Sequence, residues 1–224
     1  MTYEAVLFDC DGVLADSEAI TNGVLCEMLN ACGWALSPAE CLRTFIGKAV
    51  RSEAARIERE TGQALTDAWM AAFYARRDAR LASELQAIPG ALDTVRAMHA
   101  RFDGRIACAS GADRAKVEMQ LRHLGMATYF GTHVFSGHEL PRSKPAPDVY
   151  LAAAASVGVA PERCLVVEDT PVGVRAGRDA GAIVVGYCPP VGAISTPEQL
   201  RDAGAVDVLQ HMAHLPAWVG LTQS

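Results

Sequence analysis

The sequence predicts an α/β protein in which helices cover both faces of a parallel β-sheet and a helical domain is inserted after the first strand. Residues 1–15 and 88–224 contain short, continuously apolar runs, which in the second range are spaced by helical patterns. Strands that are apolar throughout are typical of parallel sheets buried on both faces. Residues 16–87 carry helical patterns and no strand pattern. We therefore predict a three-layer core domain from the first two ranges and a helical domain from the third.

The chain opens with the apolar run Ala5–Phe8, which predicts a short buried strand. Two carboxylates, Asp9 and Asp11, follow at its carboxyl end and would point the same way on an extended backbone. Gly12 supplies the turn that ends the strand.

Capping residues mark the helices of the predicted helical domain. Ser17 is placed to cap the first helix, and Ser37–Glu40 has the pattern of a capping box at the start of the second. A third helix ends at Gly62, and Thr66 precedes the longest helix, which runs towards Leu85.

Strands and helices alternate through the remainder of the chain. The predicted strands are residues 105–109, 133–135, 164–167, 182–185 and, as an edge strand, 206–209. The predicted helices are residues 91–101, a helix through Val117 that ends at Gly125, one from Pro147 to Gly158, and one between the strands at 164–167 and 182–185.

The composition argues against several classes of protein. The chain has 224 residues, of which 50% are hydrophobic, so disorder is not expected. A net charge of −6 without a basic cluster argues against nucleic-acid binding. No apolar run approaches the roughly 20 residues of a membrane span, and no secretory signal precedes the first strand. Seven scattered cysteines predict free thiols rather than disulfides or zinc. We expect a cytoplasmic protein, most simply a monomer.

Pairs of carboxylates follow two of the predicted strands. Asp9 and Asp11 follow the first, and Glu168 and Asp169 follow the strand at 164–167. Ligands bind at the carboxyl ends of strands in open α/β sheets, so we expect these side chains to converge. Carboxylates so close need a cation or a shared proton, and all-oxygen ligation favours Mg²⁺. Taken alone, either pair could be an ordinary polar end to a strand.

Three further residues suit an anion. Ser110 and Gly111 follow the strand at 105–109 and offer a hydroxyl and backbone N–H groups at a helix N-terminus. Lys144 lies in the proline-rich turn Ser143–Asp148 and is one of only three lysines, against seventeen arginines, which indicates a point-charge role. An ordinary helix cap at Ser110 and a solvated Lys144 are the alternatives. Together, these residues predict a phosphoryl group beside a metal, with a carboxylate nucleophile and a general acid.

Four segments resemble the motifs of the haloacid dehalogenase superfamily: Asp9–Val13, Ala109-Ser110, Ser143–Asp148 and Glu168-Asp169. Their order and the position of the helical insertion resemble its subclass I. Three further segments are similar to the group of β-phosphoglucomutases and 6-phosphogluconate phosphatases: Phe8–Gly12, Ser83–Gly90 and Phe135–Gly137. The resemblance implies a Rossmann-like core with a helical cap.

The resemblance also implies a role for each site residue. Asp9 would attack phosphorus to give an aspartyl-phosphate, and Asp11 would protonate the leaving alcohol and later deprotonate a water. The Mg²⁺ ligands would be Asp9, the backbone carbonyl of Asp11, Glu168 and Asp169. The residues that stabilise the transferring phosphoryl group would be Ser110, Gly111 and Lys144.

In such proteins the cap would close over the site and contact the far end of the substrate. The candidate contacts are Gly47, Lys48 and Arg51, in the break between two cap helices. A solvated surface position is the alternative for the two cations.

These observations favour a Mg²⁺-dependent phosphatase of small phosphorylated metabolites, either sugar phosphates or phospho-sugar acids such as 6-phosphogluconate. The second hypothesis is a β-phosphoglucomutase-type isomerase. Thr21 stands where that reaction wants a cap histidine, and Val50 stands where it wants an arginine, so both positions argue against it. A dehalogenase would leave Asp11 without a role. A non-catalytic phosphate-binding relative would be indicated by a damaged motif, and all four are intact.

Overall fold

Six parallel strands form one sheet in the order β3-β2-β1-β4-β5-β6, within the residues that the computed structural model describes, 3–45 and 48–221. The strands are β1 (Ala5–Phe8), β2 (Ile106–Ser110), β3 (Val134–Ser136), β4 (Cys164–Glu168), β5 (Ile183–Tyr187) and β6 (Asp207–Leu209). The first strand of the chain therefore lies at the centre of the sheet, where the strand order reverses, and β6 is an edge strand as predicted.

Helices flank this sheet and also form the inserted segment, which confirms the predicted fold class. The helices are α1 (Glu18–Ala31), α2 (Pro38–Phe45), α3 (Ala54–Thr61), α4 (Asp67–Glu84), α5 (Ala91–Arg101), α6 (Arg114–His123), α7 (Ala127–Phe130), α8 (Asp148–Ser156), α9 (Pro171–Asp179), α10 (Pro197–Ala203) and α11 (Leu215–Trp218). Across the described ranges, none of them combines the length and hydropathy needed to span a bilayer.

The chain divides into two compact units, Met1–Asp16 with Gln86–Ser224, and Ser17–Leu85. The chain leaves the first unit and re-enters it at neighbouring points. The Asp16 N–H donates to the Gln86 carbonyl at 3.0 Å, and Ala15 forms an antiparallel bridge with Ala87. This pairing ties both ends of the insertion to the sheet unit.

The apolar strands are buried because helices cover the sheet that they form. All four residues of β1 are fully buried, as are those of β2 from Ile106 to Ala109. Burial of aliphatic side chains contributes about 25 cal/mol per Å² of apolar surface removed from water. Phe8 also packs edge-on against Phe130 with ring centroids 6.1 Å apart. The buried central strands thus hold in place the residues that follow at their carboxyl ends.

The helical unit has its own core, which includes Leu25, Leu29 and Phe73. The predicted capping box is confirmed: the Ser37 N–H donates to Glu40 Oε2 at 2.9 Å, and the Glu40 N–H donates to Ser37 Oγ at 3.3 Å. Ser17 precedes α1 but its side chain makes no capping hydrogen bond. It has φ −100° and ψ −18°, a helical conformation rather than the extended one that an N-cap side chain needs.

Four strands, β2 to β5, extend further at their carboxyl ends than the sequence predicts. β2 includes Ser110, which pairs with Ser136, and β4 includes Glu168, which pairs with Gly186. The partner strands continue alongside them, so the ladder accommodates a polar residue at its end. As a result, Ser110 and Glu168 are held by the sheet rather than by mobile loops.

Candidate active site

The strand register brings the predicted polar residues to one edge of the sheet. Phe8 pairs with Cys108 of β2 on one side and with Val167 of β4 on the other. The Asp9 N–H donates to the Val167 carbonyl at 3.0 Å, which places Asp9 beside Glu168. Asp9, Ser110 and Glu168 therefore lie at the carboxyl ends of three adjacent strands.

Lys144 connects the residues at this edge. Its Nζ donates to Asp9 Oδ1 at 2.7 Å, to Glu168 Oε1 at 2.6 Å and to the Ala109 carbonyl at 2.9 Å. The Lys144 side chain is only 8% exposed. A buried ammonium is tolerated when it is paired and hydrogen-bonded, and both conditions hold here. Lys144 is therefore a bridge between two carboxylates, and the solvated alternative is wrong.

Glu168 is hydrogen-bonded through both of its oxygens. Oε1 accepts from Lys144 and from the hydroxyl of Tyr150 at 2.7 Å. Oε2 accepts from the backbone N–H groups of Asp169 and Thr170 at 3.1 and 3.3 Å, and from Thr170 Oγ1 at 3.1 Å. With five donors fixed on its carboxylate, Glu168 acts as an anchor that orients Lys144.

The backbone of α9 leaves room for this anchor at Gly173. A Cβ built on Gly173 would overlap the Glu168 carboxylate. We therefore expect Gly173→Ala to displace Glu168 and Lys144. This overpacking should lower the free energy of unfolding by about 1–3 kcal/mol. It should also lower the phosphatase activity that we expect from the sequence, because Lys144 loses its orientation.

Urea denaturation and phosphate release check this prediction, and Gly23→Ala in α1 is the matched control. At Gly23 the added methyl would meet only Arg80 Nη1 at 3.6 Å. That change should be neutral or stabilise by up to about 1 kcal/mol, as alanine does within helices. Equal effects of the two substitutions would contradict the close approach of Gly173 to Glu168.

The pKa values of Asp9 and Lys144 are both shifted by burial and by the charges around them. Burial, only partly offset by Lys144, raises the pKa of the Asp9 carboxyl to about 7, and the charges of Glu168 and Asp11 add to the rise. Burial alone would lower the pKa of Lys144, but the charges of Asp9 and Glu168 outweigh it and hold that pKa well above its usual value. Lys144 is therefore charged at neutral pH, and its charge offsets only part of the cost of burying Asp9.

Asp9, Glu168 and Asp169 form a group that could hold a metal ion, with one oxygen of each within 4.8 Å of the others. Asp169 approaches the turn after Asp11 closely. Gly12 has φ +76°, and a Cβ there would overlap Asp169 Oδ2, so only glycine leaves room for that carboxylate. Three carboxylates and one lysine carry a formal charge of −2. An all-oxygen donor set with this charge fits a small, hard divalent cation.

The turn that follows β2 is fixed around Ser110. The Ala112 N–H donates to Ser110 Oγ at 3.1 Å, and Ser136 Oγ donates to the Ala112 carbonyl at 2.6 Å. Asp113 is the N-cap of α6, because its carboxylate accepts from the Lys116 N–H at 2.9 Å. Ser110 is therefore not the helix cap. With Gly111 it lies in the turn that leads to the N-terminus of α6, which is a suitable place for an anion.

Asp11 contacts a different set of residues from Asp9. Its carboxylate accepts from Lys116 Nζ at 2.8 Å to each oxygen, and from Gln120 Nε2 at 2.8 Å. The prediction that both aspartates point the same way assumed an extended backbone through Asp11. The chain instead bends at Cys10, between the two aspartates, so that assumption does not hold. One aspartate is bonded to Lys144 and the other to Lys116.

Two of the three residues predicted to contact substrate, Lys48 and Arg51, lie on the surface of the helical unit. Gly47 is outside the described residues. Lys48 pairs with Glu53 at 3.3 Å, and Arg51 pairs with Asp67 at 2.8 Å, all within the helical unit. Both cations are exposed. Exposed pairs of this kind contribute little to stability, so they leave Lys48 and Arg51 free to exchange partners.

Sequence reasoning did not find Lys116, Gln120 or Tyr150. Lys116 could have been found, because the scarcity of lysine that indicated a role for Lys144 applies to it equally. Gln120 and Tyr150 occupy ordinary positions in helical patterns. Their contacts join parts of the chain that are remote in sequence, such as Gln120 with Asp11, and no local pattern reports them.

Comparison with known proteins adds independent information. A family model described as haloacid dehalogenase-like hydrolase matches residues 3–181. The 6-phosphogluconate phosphatase of Escherichia coli (strain K12) is 34% identical over 186 residues, which are 83% of this chain and 82% of the relative. The fructose-1-phosphate phosphatase YqaB of the same organism is 31% identical over 181 residues, 80% of this chain and 93% of the relative.

A solved structure gives the same result for the fold. The crystal structure of a HAD family hydrolase from Deinococcus radiodurans R1, with bound phosphate and sodium, matches with a TM-score of 0.81. The two sequences are 32% identical, and the match covers 99% of this chain and 98% of the other.

Proposed function

The chain belongs to the haloacid dehalogenase-like hydrolases, and from this premise we propose that it is a Mg²⁺-dependent phosphatase of small phosphorylated metabolites. The observation that carries the proposal is the buried Lys144, bonded to Asp9 and Glu168 at the edge of the sheet where Asp169 also lies. The names of the relatives support sugar phosphates and phospho-sugar acids such as 6-phosphogluconate as the substrate class.

Asp9 is the proposed nucleophile. Lys144 is bonded to Oδ1, so we assign the attack on phosphorus to Oδ2. As the new P–O bond forms, the bond to the leaving alcohol breaks and Asp9 becomes an aspartyl-phosphate. Lys144, the Ser110 hydroxyl and the Gly111 N–H would stabilise charge on the transferring group, which is the largest contribution expected in phosphoryl transfer.

Asp11 is the proposed proton carrier. Its proton passes to the leaving oxygen as the P–O bond breaks, and it becomes a carboxylate. It then takes a proton from the water that attacks the aspartyl-phosphate, so that Asp9 is regenerated and phosphate is released.

Asp9, Asp169 and the backbone carbonyl of Asp11 would hold Mg²⁺, with Glu168 as a direct or water-mediated ligand. When bound, Mg²⁺ would shield the negative charge of the phosphate from the Asp9 carboxylate. The raised pKa of Asp9 supports this assignment, because it indicates that Lys144 offsets only part of the cost of burying this carboxylate, and a bound cation would offset more of it.

The helical unit is the proposed source of substrate specificity. Gly47, Lys48 and Arg51 remain its candidate substrate contacts, and cations there would suit the carboxylate of a phospho-sugar acid.

All seven cysteines are free thiols, and six of them are buried. Such a set suits a reducing compartment, so we propose that the protein acts in the cytoplasm, as a monomer.

The proposal predicts phosphate release that requires Mg²⁺. We expect turnover of 6-phosphogluconate or fructose 1-phosphate with Mg²⁺. Removing the metal with EDTA should lower kcat at least about 100-fold, because several kcal/mol of charge stabilisation are lost. Mg²⁺ should also raise the Tm, by mass action on the folded state, whether or not substrate is present.

Two variants provide controls for this experiment. Asp169→Asn should reduce both the activity and the Mg²⁺-induced rise in Tm. Asp179→Asn removes a carboxylate that pairs with Arg178 on the surface and should change neither. Phosphate release that is independent of Mg²⁺ would contradict the metal site, and the absence of any release would favour a binding protein. Conversion of β-glucose 1-phosphate to glucose 6-phosphate would indicate the mutase instead.

A further inference from the structure

Lys116 and Gln120, on α6, hold the carboxylate of Asp11. Lys116 Nζ lies 2.8 Å from each oxygen of Asp11, and Gln120 Nε2 lies 2.8 Å from Oδ1. An aspartate without such partners would exchange between rotamers. Three hydrogen bonds that involve both oxygens select one position, and those from the ammonium are the stronger kind.

This contact is buried. The side chain of Lys116 is 7% exposed and that of Asp11 is 17% exposed, while Gln120 is fully buried. A buried lysine is tolerated only when it has a partner, in contrast to exposed pairs that contribute almost nothing. The positions of Lys116 and Asp11 therefore depend on each other.

The helix that carries the two residues is capped at its N-terminus and is bonded to the segment between Asp9 and Asp11. The Lys116 N–H is bonded to the capping residue Asp113, and Gln120 follows one turn later on the same face. Gln120 Oε1 accepts from the Cys10 thiol at 3.5 Å, which orients its amide nitrogen towards Asp11. Cys10 lies between the two aspartates, so the segment and the helix are joined at two points.

We propose that Lys116 and Gln120 are positioning residues that hold the Asp11 carboxylate in the place it occupies after giving its proton to the leaving group. This inference rests on the role of Asp11 proposed above. As the bond between phosphorus and the bridging oxygen breaks, the proton joins that oxygen and Asp11 is left as a carboxylate. Lys116 and Gln120 would hold this carboxylate, which is also the base needed for the attack of water.

Two substrates whose leaving groups differ in basicity distinguish a positioning role in proton transfer from a purely structural role. A sugar alcohol must be protonated as it leaves, whereas 2,4-dinitrophenolate leaves as a stable anion. A residue that serves proton transfer to the leaving group should matter for kcat/KM of the first substrate and not of the second, because kcat/KM ends at leaving-group release and excludes the attack of water that both substrates share. A residue that only maintains the fold should affect both equally.

The test compares Lys116→Met with the wild-type protein on 6-phosphogluconate and on 2,4-dinitrophenyl phosphate, both with Mg²⁺. We expect kcat/KM for 6-phosphogluconate to fall between about tenfold and about a hundredfold, part of the 10²–10⁴-fold that proton transfer contributes. kcat/KM for 2,4-dinitrophenyl phosphate should change less than about threefold, since kcat/KM covers only the steps up to release of the leaving group, and this leaving group needs no proton. Gln120→Leu should act in the same direction but more weakly, and it carries the test if Lys116→Met does not fold.

Two further variants distinguish a failure of the positioning role from a failure of the proposed role of Asp11. Arg122→Met removes an exposed cation from the same helix, where it pairs with Glu118, and should leave both substrates unaffected. Asp11→Asn should show the full difference between the two substrates. If Asp11→Asn discriminates while the Lys116 and Gln120 variants affect both substrates equally or not at all, the positioning role is overturned and the proposed function stands. If Asp11→Asn does not discriminate, the role of Asp11 itself is wrong.

Discussion

Replacing Asp9 by asparagine is expected to lower kcat at least about 10⁴-fold, which is within the range seen when a catalytic nucleophile is removed. Asparagine has nearly the same shape, and its amide oxygen can still accept from Lys144, which lies 2.7 Å from Asp9 Oδ1. The substitution therefore removes the attacking carboxylate and keeps most of the packing. We expect the variant to fold and to bind substrate.

Phosphate release measures the loss, and an acid-quenched reaction analysed by intact mass measures the intermediate. Wild-type protein should carry one phosphoryl group during turnover, and Asp9→Asn should carry none. Asp9→Ala is measured alongside, because deamidation of an asparagine would restore the aspartate. Asp93→Asn, on the exposed face of α5, is the matched control and should keep full activity. Activity of Asp9→Asn and Asp9→Ala within tenfold of wild type would exclude Asp9 as the nucleophile.

The sequence predicted which residues lie at the sheet edge of the candidate site, because the positions of the strands depend on local patterns. Apolar runs identify β1, β2 and β4, and parallel sheets bring the carboxyl ends of their strands together. From this alone Asp9, Ser110 and Glu168 were expected at one edge. Capping chemistry is similarly local, and the box at Ser37–Glu40 formed as predicted.

The parts that sequence reasoning missed depend on contacts between distant segments. Nothing near Asp11 in the chain indicates that its carboxylate contacts a helix that begins about a hundred residues later. The place where a strand stops is also set by its partners, so β2 continues to Ser110 and β4 continues to Glu168. Tyr150 looked like one more apolar position in a helix, yet its hydroxyl is bonded to Glu168.

The two lysines of the sheet unit divide the negative charge between them. Lys144 is bonded to Asp9 and Glu168, and Lys116 is bonded to Asp11. Asp9 and Asp11 are only two residues apart. A single cation bonded to both carboxylates would hold them side by side. Separate counter-charges would suit the two proposed roles, in which one aspartate attacks phosphorus and the other carries a proton.

Replacing Lys144 by methionine is expected to lower the free energy of unfolding by about 3–5 kcal/mol, the usual cost of removing one partner of a buried ion pair. Methionine fills much of the volume but leaves Asp9 and Glu168 without their cation. Turnover should fall about 10³-fold, as it does when one group that stabilises transition-state charge is removed. Arg142→Met is the matched control, because Arg142 forms an exposed pair with Asp148 in the same segment and should change neither quantity measurably.

The pH dependence of this loss distinguishes a missing counter-charge from simple repacking. The pKa of Asp9 is already raised to about 7, mainly by burial, and loss of Lys144 would raise it further. A carboxyl whose pKa is raised by folding contributes stability at pH values below its unfolded pKa of about 4, and this contribution is lost as the pH rises through the folded value. Urea denaturation in EDTA should therefore show a larger deficit for Lys144→Met at pH 8 than at pH 5. Lys144→Met/Glu168→Gln should recover part of that deficit, whereas an equal deficit at both pH values would show that packing, and not charge, is what Lys144 supplies.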